Sequence, residues 1–236
     1  MNEQNTSMLQ NVFARERTIL KNVYLWMTAG LALTGVIAFF IAGNPSLLRA
    51  LVGNTMGFLF IVIGEFALVF YLTARLDRMS QASAIGAFLA YSALNGIMLS
   101  TLFAVYAGVV IYKTFFTTAL MFAGMSLYAM TTKRDLNRIG SYLIMGLWGL
   151  IIASLVNIFF RSSGLDYLIS FIGVAVFLGL TAYDTQKIIR MNQEYGSGID
   201  EETFTKLSII GALSLYLDFL NLFLYLLRIF SRSSRN

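Results

Sequence analysis

"LSLYLDFLNLFLYLL", residues 213–227, reads as a membrane helix with an acid, Asp218, at its centre. Steps of three and four along this run, the helical repeat, place Gly211, Ser214, Asp218, Asn221 and Tyr225 on one stripe. Leu, Phe and Ile fill the other faces. Lipid accepts those apolar faces, whereas small and polar residues pack against other helices. The stripe therefore turns inward, and the rest of the chain must supply a bundle for it to face. This reading sets the fold class: an all-α integral membrane protein.

The composition agrees. Of 236 residues, 58% are hydrophobic and 12% charged, with a mean hydropathy of +0.72; soluble domains carry about 25% charge. There is no Cys and no His. Disulfides, thiolate chemistry and imidazole-based pH sensing are excluded, so a pH response near neutrality falls to carboxyl groups. The net charge of +5 is read as positive loop charge at the membrane surface, not as nucleic-acid binding.

Seven apolar segments are predicted, at 22–43, 51–74, 83–107, 112–131, 140–160, 167–186 and 206–229. The expected organisation is a cytoplasmic N-terminal segment, 1–21, a single seven-helix transmembrane domain, 22–229, and a polar tail, 230–236. The first twenty residues lack a signal peptide's apolar core and cleavage site, so the first run is read as a retained helix. Connections such as "GNPSLLR" (43–49) and "NQEYGSGIDEET" (192–203) are read as loops, with the single proline, Pro45, in one of them. Eleven Lys and Arg fall on the N-terminal side of the membrane and three in the opposite loops, which makes the N-terminus cytoplasmic. Seven spans then carry the C-terminus outside. The three arginines of "RIFSRSSRN" (228–236) oppose this, and re-entry of the last segment is the alternative.

Three acids fall inside apolar runs: Glu65, Asp184 and Asp218. An acid at mid-membrane costs about 2.5–3.5 kcal/mol even on an insertion scale. Asp218 alone is accounted for as a neutral hydrogen-bonding tie between helices. Asp184 alone, in "GLTAYDTQKI" (179–188), is accounted for as an interface acid paired with Lys187. Together they suggest more. Two carboxyl groups meeting on a common interior face titrate as one coupled unit, here expected between about pH 5 and 8. Deprotonated, the pair is a hard oxygen site suited to Ca²⁺. Proton and cation would compete for it, and two acids suit passage better than storage. Ser214 and Asn221 flank Asp218 on the stripe as support. Arg75, near the end of the second segment, is either a counter-ion for the pair or an ordinary positive-inside residue. Asn95 and Asn157 are read as interhelical hydrogen bonds.

"GLTAYDTQKI" followed by "GALSLYLDFLNLFLYLLRIF" (211–230), with "MSLYAMTTKRDL" (125–136) in the middle of the chain, resembles the Bax inhibitor-1 family in its bacterial branch. The resemblance covers nearly the whole chain. It implies six helices surrounding a central seventh, and a pH-sensitive Ca²⁺ leak with a di-aspartyl sensor, carried over here to Asp184 and Asp218. It further implies an arginine latch, best matched by Arg75 with Arg78 as rival, and an acid of the ion path, matched by Glu65. No cofactor is implied; calcium is the permeant ion, held transiently by the two aspartates. Some bacterial members associate with a membrane-embedded ATP-dependent protease.

Two functions are thus expected to compete: a calcium leak of the bacterial inner membrane, and a regulatory protein whose N-terminal segment engages a membrane protease or other membrane partner. An enzyme is not expected. Two aspartates on successive helices superficially match intramembrane aspartyl proteases. Here, however, the second acid lies in "LYLDFL" (215–220) rather than a glycine-flanked motif, and the proline element of those proteases is absent.

Overall fold

Backbone polar groups in hydrocarbon must be satisfied within their own segment, so each long apolar run closes into a helix. The computed structural model describes the backbone of residues 2–195 and 200–233, and within it the side chains of 19–76, 78–191, 193 and 200–232. Its elements are α1 (Asn2–Ala42), α2 (Pro45–Val52), α3 (Thr55–Ala74), a 3₁₀ turn (Leu76–Arg78), α4 (Gln81–Val105), α5 (Gly108–Thr131), α6 (Asn137–Phe160), α7 (Ser163–Tyr195) and α8 (Glu201–Ser233). Seven of these helices are long and apolar enough to span a membrane. The chain is a multi-pass membrane protein, as the apolar runs predict.

Boundaries differ from the sequence reading in physically simple ways. The "GNPSLLR" connection is not a loop throughout. Asn44 caps α2 by accepting from the Leu47 N–H at 3.2 Å, and Pro45 occupies the first turn, where its missing N–H costs nothing. Much of "NQEYGSGIDEET" is helical, because α7 runs to Tyr195 and α8 starts at Glu201; residues 196–199 lie outside the described residues. The Asp200 carboxylate caps α8, accepting from the Thr203 N–H and hydroxyl at 3.2 and 2.7 Å. These bonds hold the Asp200 carboxyl below its usual pKa, the Thr203 side chain contributing most. The helix that carries the first span starts at Asn2, within the expected N-terminal segment 1–21. At the other end α8 continues to Ser233, and 234–236 lie outside the described residues.

The chain forms two compact units, residues 1–106 with 191–216, and residues 107–190 with 217–236. In the first, α1 packs chiefly on α4, and α3 also packs on α4. Glycines permit the close approach: a Cβ on Gly96 would lie 2.8 Å from the Thr34 carbonyl and from Ile37 Cβ. Thr34 Oγ1 donates to the Ser92 carbonyl at 2.8 Å, so its lone pair accepts the Tyr216 hydroxyl at 2.7 Å. Phe88 and Tyr91 meet the Tyr216 ring edge-on. In the second unit, Phe115 and Phe122 of α5 meet Phe219 edge-on. Gly179 of α7 admits Leu143 of α6, and Gly173 lies against the Tyr225 ring.

The last span differs from the others in burial. In its most apolar stretch 72% of residues are buried, against 6–39% in the other six. α6 is the opposite extreme. Tyr142, Met145, Trp148, Ile152, Leu155 and Phe159 form a helical stripe of exposed large side chains suited to lipid.

Candidate functional site

α8 places Asp218 near its midpoint, 5% exposed. Its Oδ2 is buried with no hydrogen-bond partner. A buried polar oxygen in that condition is costly and calls for a ligand, a proton or a water. Asp184, half-buried on α7, lies within coulombic reach of Asp218, and Lys187 within reach of Asp184. The two sequence-predicted acids thus lie in one unit, close enough for the charge of one to act on the other. No cluster of three or more Asp, Glu, His or Cys side chains suited to a metal exists among the described residues.

The other predicted residues are placed as follows. Ser214 and Asn221 are half-buried on α8. The Asn221 amide donates to the Leu217 carbonyl of its own helix at 2.8 Å. Glu65 is half-buried on α3, with Oε1 buried and unpartnered and with Tyr91 and Tyr216 within coulombic reach. Arg75 and Arg78 are exposed at the turn following α3, where the Arg75 N–H caps the helix on the Tyr71 carbonyl. Among the described residues, the bonds of Asn95 and Asn157 are local and not between helices. Asn95 donates to the Tyr91 carbonyl one turn back at 3.1 Å, and Asn157 accepts the Ser162 N–H just past the end of α6 at 3.0 Å. A short amide side chain near a helix carbonyl, or near a helix end with orphan groups, finds its partner locally before it reaches a neighbour.

A feature missed in the sequence lies below Asp184 on α7. Gln186 grips the 132–136 turn from both sides: its Oε1 accepts the Leu136 N–H at 2.8 Å and its Nε2 donates to the Arg134 carbonyl at 2.9 Å. Arg190 Nη1 pairs with Asp135 Oδ1 at 2.6 Å. Asp135 also accepts the Asn137 N–H at 3.0 Å, at the start of α6. The Asn137 N–H foremost, then Arg190, hold the Asp135 carboxyl below its usual pKa of 3.8. Gln186 lies within the quoted motif "GLTAYDTQKI", yet nothing in its periodicity points to a backbone fifty residues away. At the far end of α8, Arg228 and Arg232 dock on the start of α7. Arg228 lies 3.9 Å from Asp166, and Arg232 donates to the Ser163 carbonyl at 2.5 Å. Two of the tail arginines thus have local partners; Arg235 lies outside the described residues.

A family model described as "Inhibitor of apoptosis-promoting Bax1" matches residues 16–236. An inner membrane protein of Escherichia coli K12, YbhL, is 45% identical over 214 residues, which is 91% of each chain. A protein of Borreliella burgdorferi is 45% identical over 219 residues, 91% of this chain and 94% of its own. One from Deinococcus radiodurans is 39% identical over 220 residues, 93% of each.

Proposed function

The chain belongs to the Bax inhibitor-1 family, and from that premise we propose that it is a pH-sensitive calcium leak of the bacterial inner membrane. In this reading Asp184 and Asp218 form the site at which protons and Ca²⁺ compete. The observation that carries it is the pair itself: a mid-helix carboxyl with an unpartnered buried oxygen, and a second carboxyl within coulombic reach. Two carboxyl groups fall short of the six to eight oxygens of a tight Ca²⁺ site, which suits transit. Glu65 serves the path as a further acid, and Arg75, with Arg78 as rival, serves as counter-ion. No cofactor takes part. The N-terminus is cytoplasmic and the C-terminus outside.

The test is Ca²⁺ flux into proteoliposomes between pH 5 and 8. Wild-type flux is expected to change with pH, and that of Asp184→Asn with Asp218→Asn is not. Absence of flux from correctly folded protein at every pH refutes the leak.

A second reading, a regulator that binds a membrane-embedded protease, is favoured by one feature. α1 is helical from Asn2, ahead of the apolar run at 22–43. Deleting residues 2–18 separates the two: a leak keeps its flux, whereas a regulator loses its partner.

A further inference from the structure

Hydroxyls buried in a helix ordinarily bond back to the carbonyl one turn earlier. Ser92, Thr114, Thr118, Ser170, Thr181 and Ser208 all do so, at 2.7–3.0 Å. Ser126 of α5 departs from this pattern. Its side chain is 3% exposed, and its Oγ has no hydrogen-bond partner. Within its unit, the other buried side-chain oxygen without a partner, among the described residues, is Asp218 Oδ2.

Neighbours on the same face of α5 locate the hydroxyl. One turn before Ser126, the Phe122 ring lies 5.5 Å from that of Phe219, the residue after Asp218. One turn after it, Ala129 shares a buried cluster with Ala182, two residues before Asp184. The face of α5 that carries Ser126 is thus bracketed by the two helices that carry the aspartates. The buried stripe of α5, which comprises Ile111, Thr114, Thr118, Phe122, Ser126 and Ala129, brings no titratable group there. Among the described residues, the charged groups bearing on the pair are Asp184 and Lys187 of α7 and Asp218 itself.

We propose that Ser126 Oγ and Asp218 Oδ2 hold one bound water between them, which makes Ser126 the third side chain of the aspartate site. A water has two protons and two lone pairs, and a serine hydroxyl rotates to donate or accept. The bridge therefore serves the carboxyl in either protonation state, and it satisfies two oxygens that a dry interior leaves orphaned. The inference rests on reading the aspartate pair as the functional site. A cation at that pair would then meet a hydroxyl and a water beside the two carboxyls, the neutral oxygen donors that a hard ion accepts.

The test uses full-length protein in nanodiscs and infrared difference spectra recorded on acidification in H₂¹⁶O and H₂¹⁸O. The Asp218 band, protonated or carboxylate, is the one absent from Asp218→Asn. It is expected to move in Ser126→Ala, and to return toward its wild-type position in Ser126→Thr, which keeps the hydroxyl. The melting temperature of Ser126→Ala is expected to fall by a few degrees. An unmoved band overturns the proposal, and an unchanged or raised melting temperature beside it marks the hydroxyl as a dry orphan that the protein is better without. Ca²⁺ flux measured on the same samples separates the two ideas. A band shift without any flux supports the water site and removes the leak. Intact flux with an unmoved band removes Ser126 alone.

Discussion

Gly140→Ala puts the packing beside the aspartate pair to a direct test. A Cβ on Gly140 of α6 would stand 2.5 Å from Tyr183 Cε2, 2.9 Å from Cζ and 3.1 Å from Cδ2. Ordinary contact lies near ~3.5–4.0 Å, so the ring of Tyr183, the neighbour of Asp184, must retreat by about 1 Å. Overpacking of this kind costs about 1–3 kcal/mol. Gly149, on the same helix, is the control: a Cβ there meets nothing within 4 Å. Gly149→Ala gains helix propensity of up to about 1 kcal/mol. Unfolding of both variants in mixed micelles with added SDS, followed by the fluorescence of Trp26 and Trp148, gives the difference. Both substitutions gain helix propensity, so Gly140→Ala is expected to be less stable than Gly149→Ala by the overpacking cost, about 1–3 kcal/mol. In a Tyr183→Ala background the penalty at Gly140 should largely vanish, since the two sites are in contact and their effects do not add. Equal stability of the two glycine variants, within about 0.5 kcal/mol, refutes the packing argument.

Other tests follow from the same geometry. Tyr216→Phe removes the 2.7 Å bond to Thr34 and should cost about 0.5–1.5 kcal/mol, with Thr34→Val adding little on top, read by the same unfolding assay. Gly173→Ala drives a Cβ to within 2.7 Å of three atoms of the Tyr225 ring and should destabilise by about 1–3 kcal/mol, with relief in a Tyr225→Ala background. Gln186→Ala frees two backbone groups of the 132–136 turn, and hydrogen exchange at Leu136 should speed up at least tenfold. Asp135 is depressed below 3.8, so its contribution to stability is fully present above that value and is lost as pH falls through its lower folded value. Asp135→Asn should therefore leave any response of Ca²⁺ flux between pH 5 and 8 unchanged, and a lost response would contradict the assignment of that response to the aspartate pair.

The spans were legible because an uninterrupted apolar run has one stable outcome in lipid. The same logic made the last helix readable: Gly211, Ser214 and Asp218 share a face that only a neighbouring helix can use, and this span proves the most buried. The helix ends were not legible. Hydropathy marks where lipid stops, whereas "KIIRMNQEY" (187–195) continues α7 as a polar helix beyond that point. α2 was hidden because Pro45 was read as part of a loop, although Asn44 ahead of it makes a helix start. The two acids were visible as intruders in oil. Ser126 and Gln186 were not, since a serine or glutamine in a helix gains its meaning from what faces it.

The back-bonded hydroxyls have a mechanical consequence. Thr114 and Thr118 spend their protons on their own helix, while α5 meets α8 through the rings of Phe115, Phe122 and Phe219. Such a contact is greased rather than riveted. One helix can slip or roll against the other by exchanging ring contacts of similar strength, with the proposed Ser126–Asp218 water as the polar tie that must re-form. The rivets stand elsewhere, at Thr34–Tyr216 in one unit and at the Gln186 grip in the other. Along the seam beside Asp218 the rings carry the contact, and the water proposed between Ser126 and Asp218 is its polar tie.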